Sequence, residues 1–295
     1  DNLCDMCEDW DELVDEIRTN TLAMLHRDPD EAEKLLQKIR DTSSLRKELN
    51  TIKKKARENA KAVSIHVPQL KDCKDHLDLA HKKGEDTMIF LTEGLSAYGT
   101  ITQCRDPKKQ AVFALRGKPL NVCDEKRDAI YRNQELFNLM KSLDVEDTLA
   151  NLRYGKIIFA TDADVDGMHI RNLLITFFMR FFPQLVKDGR VFILETPLFR
   201  VRNKKESHYC YSDPERLAAI KACGASAEIS RFKGLGEISP KEFADFIGSE
   251  MRLTPVTCAH DVGTDQTLEF YMGKNTPERR DYIMKNLVIT EEDYE

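Results

Sequence analysis

The chain has no run approaching the ~18 consecutive apolar residues of a membrane span. Hydrophobic residues make up 41% of its 295 positions and charged residues 33%, proportions that exclude wholesale disorder and suit a globular domain or two. The start, Asp1-Asn2-Leu3-Cys4, lacks a basic region followed by an apolar one, so no secretory leader is expected and the expected location is cytoplasmic, without membrane contact. A disulfide framework is missing as well. The eight cysteines, at 4, 7, 73, 104, 123, 210, 223 and 258, are scattered, and small secreted domains space them densely. Cys4-x-x-Cys7 has no second Cys-x-x-Cys to complete a zinc knuckle, so no metal is expected there. Internal repeats and low-complexity tracts are also absent.

Positive charge is in short supply overall. The formal net charge is −6, which by itself argues against nucleic acid, since phosphate must be met by Lys and Arg. The acidity is concentrated in residues 1–33 and in Glu291, Glu292, Asp293 and Glu295. Between those ends lie local basic stretches, Arg46 to Lys61 and Arg200-x-Arg202-x-Lys204-Lys205, which suit either a phosphate backbone or a solvated face.

From Trp10 to about Lys61 the apolar spacing is helical, with Leu13, Ile17, Met24, Leu25, then Leu35, Leu36 and Ile39, punctuated by Pro29. The polar stretch Asp72–Glu85 is the expected boundary, giving a helical segment with linker over 1–84 and an α/β body over 85–295. In that body, Thr87 to Thr92 reads as a buried strand ending at Glu93-Gly94, and Gly155 to Thr161 repeats the pattern ahead of Asp162-Ala-Asp-Val-Asp-Gly167. His169 to Phe182 then predicts an apolar helix stopped by Pro183. Further strands are expected at 190–194, 198–201 and 208–211. Ser212, Ser239-Pro240-Lys241-Glu242 and Thr276-Pro277 mark helix starts.

The chemistry sits at two strand ends, Glu93 in T-E-G and Asp162, Asp164 and Asp166 in D-A-D-V-D-G. Ligands of α/β sheets bind beyond the carboxyl ends of the strands, so both groups project into one crevice. Four carboxylates there repel one another unless a divalent cation neutralises them, and Mg²⁺ prefers such hard oxygen ligands. Gly167 permits a tight turn, and a following helix N-terminus favours phosphate. An EF-hand loop also begins D-x-D-x-D-G, but the glutamate required at its twelfth position is Leu173 here and the preceding segment is a strand. An acidic surface loop is the remaining bland alternative.

Five ordered motifs carry a resemblance: T-E-G-L-S-A (92–97), A-L-R-G-K-P-L-N-V (114–122), A-T-D-A-D-V-D-G-M-H-I-R (160–171), P-L-F-R-V (197–201) and R-F-K-G-L-G-E (231–237). Together they resemble the C-terminal region of the B subunit of bacterial type IIA topoisomerases, closer in flavour to topoisomerase IV than to DNA gyrase. The resemblance implies a Toprim fold, a Rossmann-like α/β sheet of mostly parallel strands with helices on both faces, here with extra N-terminal and C-terminal helices. It implies that Glu93 is a general acid/base and metal ligand, and that Asp162, Asp164 and Asp166 hold one or two Mg²⁺ ions, for which Mn²⁺ or Ca²⁺ can substitute. Arg116, Lys118, His169, Arg171 and Lys233 match positions near DNA in the family; salt bridges or capping are their plainer roles.

The implied partners are double-stranded DNA and an A subunit, which supplies the nucleophilic tyrosine in an A2B2 heterotetramer of the nucleoid. The eight tyrosines of this chain are expected to be packing residues. No Gly-rich ATP-lid motif is found, so ATP enters only through an N-terminal half that this sequence lacks, and the fragment alone should cut poorly. Leu95 replaces the family's usual Asp, and Tyr98 and Cys104 stand where small residues are common. The alternatives are the corresponding part of a gyrase, a Toprim nuclease or primase, and a non-catalytic binding module.

Overall fold

The computed structural model describes residues 10–62, 67–79, 81–146, 148–258 and 263–287. Cys4-x-x-Cys7 and the acidic residues Glu291, Glu292, Asp293 and Glu295 fall outside them. The chain divides into two units, Asp1–Ser64 and Ile65–Glu295, and this division lies ahead of the polar stretch 72–85 at which the sequence suggested it.

In the first unit, α1 (Trp10–Arg27) and α2 (Pro29–Ala62) follow the helical spacing of the sequence. Pro29 marks the break because proline fits the first turn of a helix and not its interior. Ile17, Met24, Leu36 and Ile39 are each more than half exposed, so their apolar stripe builds no core within this unit.

The second unit is organised on a six-stranded sheet. Its strands are β1 (Leu70–Lys71), β2 (Met88–Glu93), β3 (Gln110–Leu115), β4 (Lys156–Ala160), β5 (Val191–Glu195) and β9 (Arg252–Pro255), in the order β1-β3-β2-β4-β5-β9. The four central strands run parallel, and the edges β1 and β9 are antiparallel. Strands β2 and β3 are buried along almost their whole length, as near-continuous apolar runs are when helices cover both faces of a parallel sheet. On one face Phe90, Val112 and Ile158 pack with Ala97 and Ile101 of α3 (Gly94–Cys104) and with Phe243 and Phe246 of α9 (Pro240–Phe246). On the other face Phe159 stacks on Phe178 of α6 (Val165–Phe181) with ring centroids 5.7 Å apart, and Phe182 extends the aromatic cluster. The fold expected from the motifs, a mostly parallel sheet with helices on both faces, is the one observed.

Between β3 and β4 lie α4 (Asp128–Arg132) and α5 (Gln134–Leu143), and α7 (Pro183–Lys187) follows α6. A smaller antiparallel sheet is formed by β6 (Phe199–Arg202), β7 (Ser207–Cys210) and β8 (Glu228–Arg231), in the order β7-β6-β8, with α8 (Asp213–Cys223) packed on it. Ser212 caps α8 and Ser239 caps α9, each accepting a backbone N–H three residues on. Helices α10 (Gly263–Met272) and α11 (Thr276–Asn286) close the described chain. Asn121 ties α10 to the segment after β3 by donating to the Met272 carbonyl at 2.7 Å.

Two expectations shift. Helix α6 begins at Val165, four residues before the apolar spacing starts, because Asp164 caps it by accepting the Gly167 N–H at 2.7 Å. Of the basic stretch Arg200–Lys205, Arg200 pairs with Glu242 at 2.7 Å and Arg202 with Glu228 at 2.9 Å, so both arginines serve internal ion pairs.

Phe178 is fully buried, and Phe178→Ala should destabilise the second unit by about 3–5 kcal/mol in urea denaturation. Ile283→Ala, at a position 57% exposed, should change stability by less than ~0.5 kcal/mol. Equal effects would mean that the second unit's core does not lie on the α6 face of the sheet.

Candidate active site

The order of the parallel strands creates one switch point. From β2 the chain crosses through α3 to β3 on one side; from β4 it crosses through α6 to β5 on the other. Where neighbouring strands send their connections in opposite directions, a crevice opens at their carboxyl ends, and ligands of α/β sheets bind there. Thr92 pairs in register with Ala160. Glu93 and the segment Thr161–Asp162 therefore leave the sheet side by side.

Local backbone turns both segments sharply. Gly94 has φ +70°, a left-handed conformation that glycine adopts without a Cβ penalty, so α3 starts directly after Glu93. On the β4 side, a Cβ on Gly167 would meet the Asp162 carbonyl oxygen at 2.2 Å. Only glycine lets the first turn of α6 fold back onto Asp162.

The four carboxylates are placed in unlike surroundings. Glu93 is partly buried, and its Oε2 is shut off from solvent with no hydrogen-bond partner. Burial raises its pKa above the ordinary 4.5, and the charges of Asp162, Asp164 and Asp166 push it further up. Asp162 is also partly buried; its Oδ1 accepts the Leu235 N–H at 2.8 Å. Burial raises its pKa more than that bond lowers it, with Asp164 and Glu237 adding repulsion. Asp164 is exposed and caps α6. Asp166 is exposed and bound by the Lys118 ammonium at 2.7 Å, which lowers its pKa. Negative charge is thus compensated at Asp166 and uncompensated at Glu93 and Asp162. No three of these carboxylates bring their oxygens within a mutual 4.8 Å; Mg²⁺ usually takes one or two carboxylates directly and retains several waters.

A third wall comes from the segment 231–237. The 3-10 turn Leu235–Glu237 brings the Leu235 amide onto Asp162, and a Cβ on Gly234 would come within 3.0 Å of Asp162 Oδ2. Glu237, whose Oε2 accepts the Lys233 N–H at 2.9 Å, adds a fifth carboxylate that sequence reasoning did not single out. Its only advance signal was the K-G-L-G pattern, whose glycines permit close backbone approach.

The candidate DNA contacts are distributed around this crevice. Arg116 and Lys118 are exposed on the turn after β3, where Gly117 has φ +86°, and the Arg116 N–H donates to Glu135 at 2.6 Å. His169 is exposed on α6 and lines a cavity of about 500 Å³ with Asn121, Asn172, Tyr271 and Arg279. Lys233 is exposed. Arg171 differs: it is partly buried, its Nη2 reaches Thr161 Oγ1 at 3.4 Å, and its Nε has no hydrogen-bond partner.

Residues 88–196 match the model of the Toprim domain, and residues 224–284 match that of the DNA gyrase B subunit, carboxyl terminus. The chain is 50% identical over 277 residues to the B subunit of DNA topoisomerase 4 from Borreliella burgdorferi, covering 94% of this chain and 46% of that protein. It belongs to the B-subunit family of type IIA DNA topoisomerases. Another relative is the B subunit of DNA gyrase from Thermotoga maritima, 34% identical over 90% of this B-subunit chain and 42% of its own length. The chain spans under half the length of either protein. Among solved structures, the DNA-binding, cleavage and re-ligation domain of Plasmodium falciparum topoisomerase II superposes with a TM-score of 0.64 at 25% identity, covering 76% of this chain and 32% of that one. Among the described residues, no helix is long and apolar enough to cross a membrane.

The raised pKa values of Glu93 and Asp162 set the sign of a pH effect. A carboxyl whose folded pKa lies above its unfolded one binds more protons when folded, so its contribution to stability falls as pH rises through the folded value. Asp162→Asn keeps the Oδ1 acceptor for Leu235 and removes the charge. The variant should melt at a higher temperature than the parent chain at neutral pH, and the difference should shrink as pH falls through the raised pKa of Asp162. A melting temperature lowered equally at all pH values would rule out charge repulsion as the dominant effect.

Proposed function

We propose that this chain is the DNA-cleaving part of a topoisomerase IV B subunit, which holds Mg²⁺ at the crevice between β2 and β4 and completes its active site with a tyrosine of the A subunit. The observation that carries the reading is the pairing of Glu93, with its buried unpartnered oxygen, and Asp162 at the switch point of the sheet. Hard oxygen donors with uncompensated charge fit Mg²⁺. Glu93, Asp162 and Asp164 would hold the ion, with Asp166 at the rim. When bound, Mg²⁺ supplies positive charge to the oxygens that become negative as a phosphodiester is exchanged.

The remaining steps fall to side chains. Glu93 is assigned the exchange of a proton with the sugar oxygen that leaves and returns. Lys118, Arg116 and Lys233 stand at the rim, where cations position a phosphate backbone. His169 and Arg171 lie along α6; Arg171 acts from behind Thr161 rather than from the open face. In the whole enzyme two such chains join two A subunits, break both strands of duplex DNA, pass a second duplex and reseal the break in the nucleoid. ATP use is assigned to a part of the enzyme outside this chain.

Topoisomerase IV is favoured over gyrase by 50% identity to the first against 34% to the second, over comparable lengths. Decatenation by the reconstituted holoenzyme, without supercoiling, is the expected outcome. Mixed with an A subunit, the ATPase part and Mg²⁺, the chain should yield protein covalently joined to DNA ends. Glu93→Ala and Asp162→Asn should each reduce that yield by roughly 10²–10⁴-fold with DNA binding retained, and Asp166→Asn should reduce it less. Undiminished cleavage in both of the first two variants would reduce the chain to a binding module. Cleavage by the chain alone would favour a Toprim nuclease.

A further inference from the structure

The small sheet carries a second set of metal-competent side chains, remote in sequence from the acidic motifs. Glu206 in the β6–β7 turn, His208 in β7 and Cys223 at the end of α8 each bring one ligand atom within 4.8 Å of the other two. His208 Nε2 lies 3.4 Å from Glu206 Oε2, yet that nitrogen is shut off from solvent and makes no hydrogen bond. Cys223 is 6% exposed. Glu206 is exposed and leaves the group open on one side.

Asn203 holds this arrangement in place. Its Oδ1 accepts the N–H groups of Lys205 and Glu206 at 2.8 and 2.9 Å, and its Nδ2 donates to Glu206 Oε1 at 3.4 Å and to the Cys223 carbonyl at 3.3 Å. One side chain thus fixes the hairpin turn against the end of α8 and leaves Glu206 Oε2, the ring nitrogen and the thiol facing one another.

A comparable group elsewhere shows what is different here. Cys73-Lys74-Asp75-His76 has a Cys-x-x-His spacing, and Asp72, Cys73 and His76 also gather within 4.8 Å. There, however, the Arg153 guanidinium binds Asp72 and lies 2.7 Å from His76 Nε2. A fixed cation already occupies that position. Around Glu206, His208 and Cys223, no hydrogen bond or ion pair of the described residues brings in a lysine or arginine side chain.

We propose that Glu206, His208 and Cys223 form a Zn²⁺ site with an open fourth position. A nitrogen, a sulfur and a carboxylate oxygen make a donor set that suits borderline-soft Zn²⁺ far better than Mg²⁺. Zinc–ligand distances of about 2.0–2.3 Å require somewhat closer spacing; Glu206 is already 3.4 Å from His208, so the closing movement is a side-chain rotation that brings Cys223 Sγ towards that pair. Binding displaces the thiol proton of Cys223 into solvent and leaves a metal thiolate. Its structural consequence is a link between the β6–β7 hairpin and α8.

The test uses the whole 295-residue chain, stripped with chelator under reducing conditions and held in excess Mg²⁺ to occupy hard-oxygen sites. Addition of Co²⁺, a spectroscopic substitute for Zn²⁺, should give one equivalent of a complex with thiolate-to-cobalt charge-transfer absorption, displaced by Zn²⁺. Cys223→Ser and His208→Gln should abolish the band, and the exposed, fold-neutral Glu206→Gln should weaken Zn²⁺ binding at least tenfold. Cys73→Ser should leave all of this intact. Absence of the band from the parent chain, its persistence in Cys223→Ser, or unchanged affinity in Glu206→Gln would each overturn the proposal.

Discussion

The site of the second unit is shaped by one unfavourable constraint, the burial of the Glu93 and Asp162 carboxyls side by side at the switch point of the sheet. Both leave their strands at one level because Thr92 and Ala160 are in register, and among the described residues no ion pair offsets either one as Lys118 offsets Asp166. Burial of an unpaired carboxylate is costly, and proteins relieve it by protonation or by a cation. Here the relief is partial, through the backbone N–H of Leu235 on Asp162 and the backbone N–H of Asp162 on Glu93. The sheet holds the pair together because its four parallel strands are pinned by helices on both faces, and a few unfavourable charges are small beside a core of that extent.

That constraint explains why the glycines fall where they do. Gly94 and Gly167 let α3 and α6 start directly at the carboxylates, and Gly234 lets a third segment close over Asp162. The result resembles a nest of backbone turns around a hole in the charge balance. Buried carboxylates with raised pKa values of this kind cluster at functional sites.

Much of this was legible in the sequence because each acidic group ends an apolar run. Burial made the strands β2 and β4 readable as uninterrupted hydrophobic stretches, and the change from apolar to T-E-G or D-A-D marked their carboxyl ends. Strand β3 was less legible: Ala111 to Leu115 is equally apolar, but a short apolar run of five residues carries no periodicity that separates a strand from a buried helix segment. The contact of Leu235 with Asp162 was not legible at all. It spans 73 residues and is made by a backbone amide, which every residue but proline possesses, so side-chain identity carries no signal for it. Glu237 shares that concealment, since its place near Asp162 follows from the 3-10 turn and not from any spacing. The early start of α6 was hidden for a related reason, because Asp164 reads as a ligand and also serves as a cap.

The three departures from the family pattern separate by the same electrostatic logic. Tyr98 and Cys104 lean on the core formed by Phe90, Ile101 and Phe243, so their larger side chains are absorbed by packing on the α3 side. Leu95 is 77% exposed and touches none of that core. A carboxylate at this position would add negative charge two residues from Glu93, where burial and three aspartates already disfavour ionisation. Leucine removes that additional repulsion and leaves the metal-competent set complete. Its cost is an exposed apolar side chain two residues from Glu93, where the resemblance implies an acceptor. The consequence of Leu95 therefore concerns what lies against the rim rather than what lies between Glu93 and Asp162.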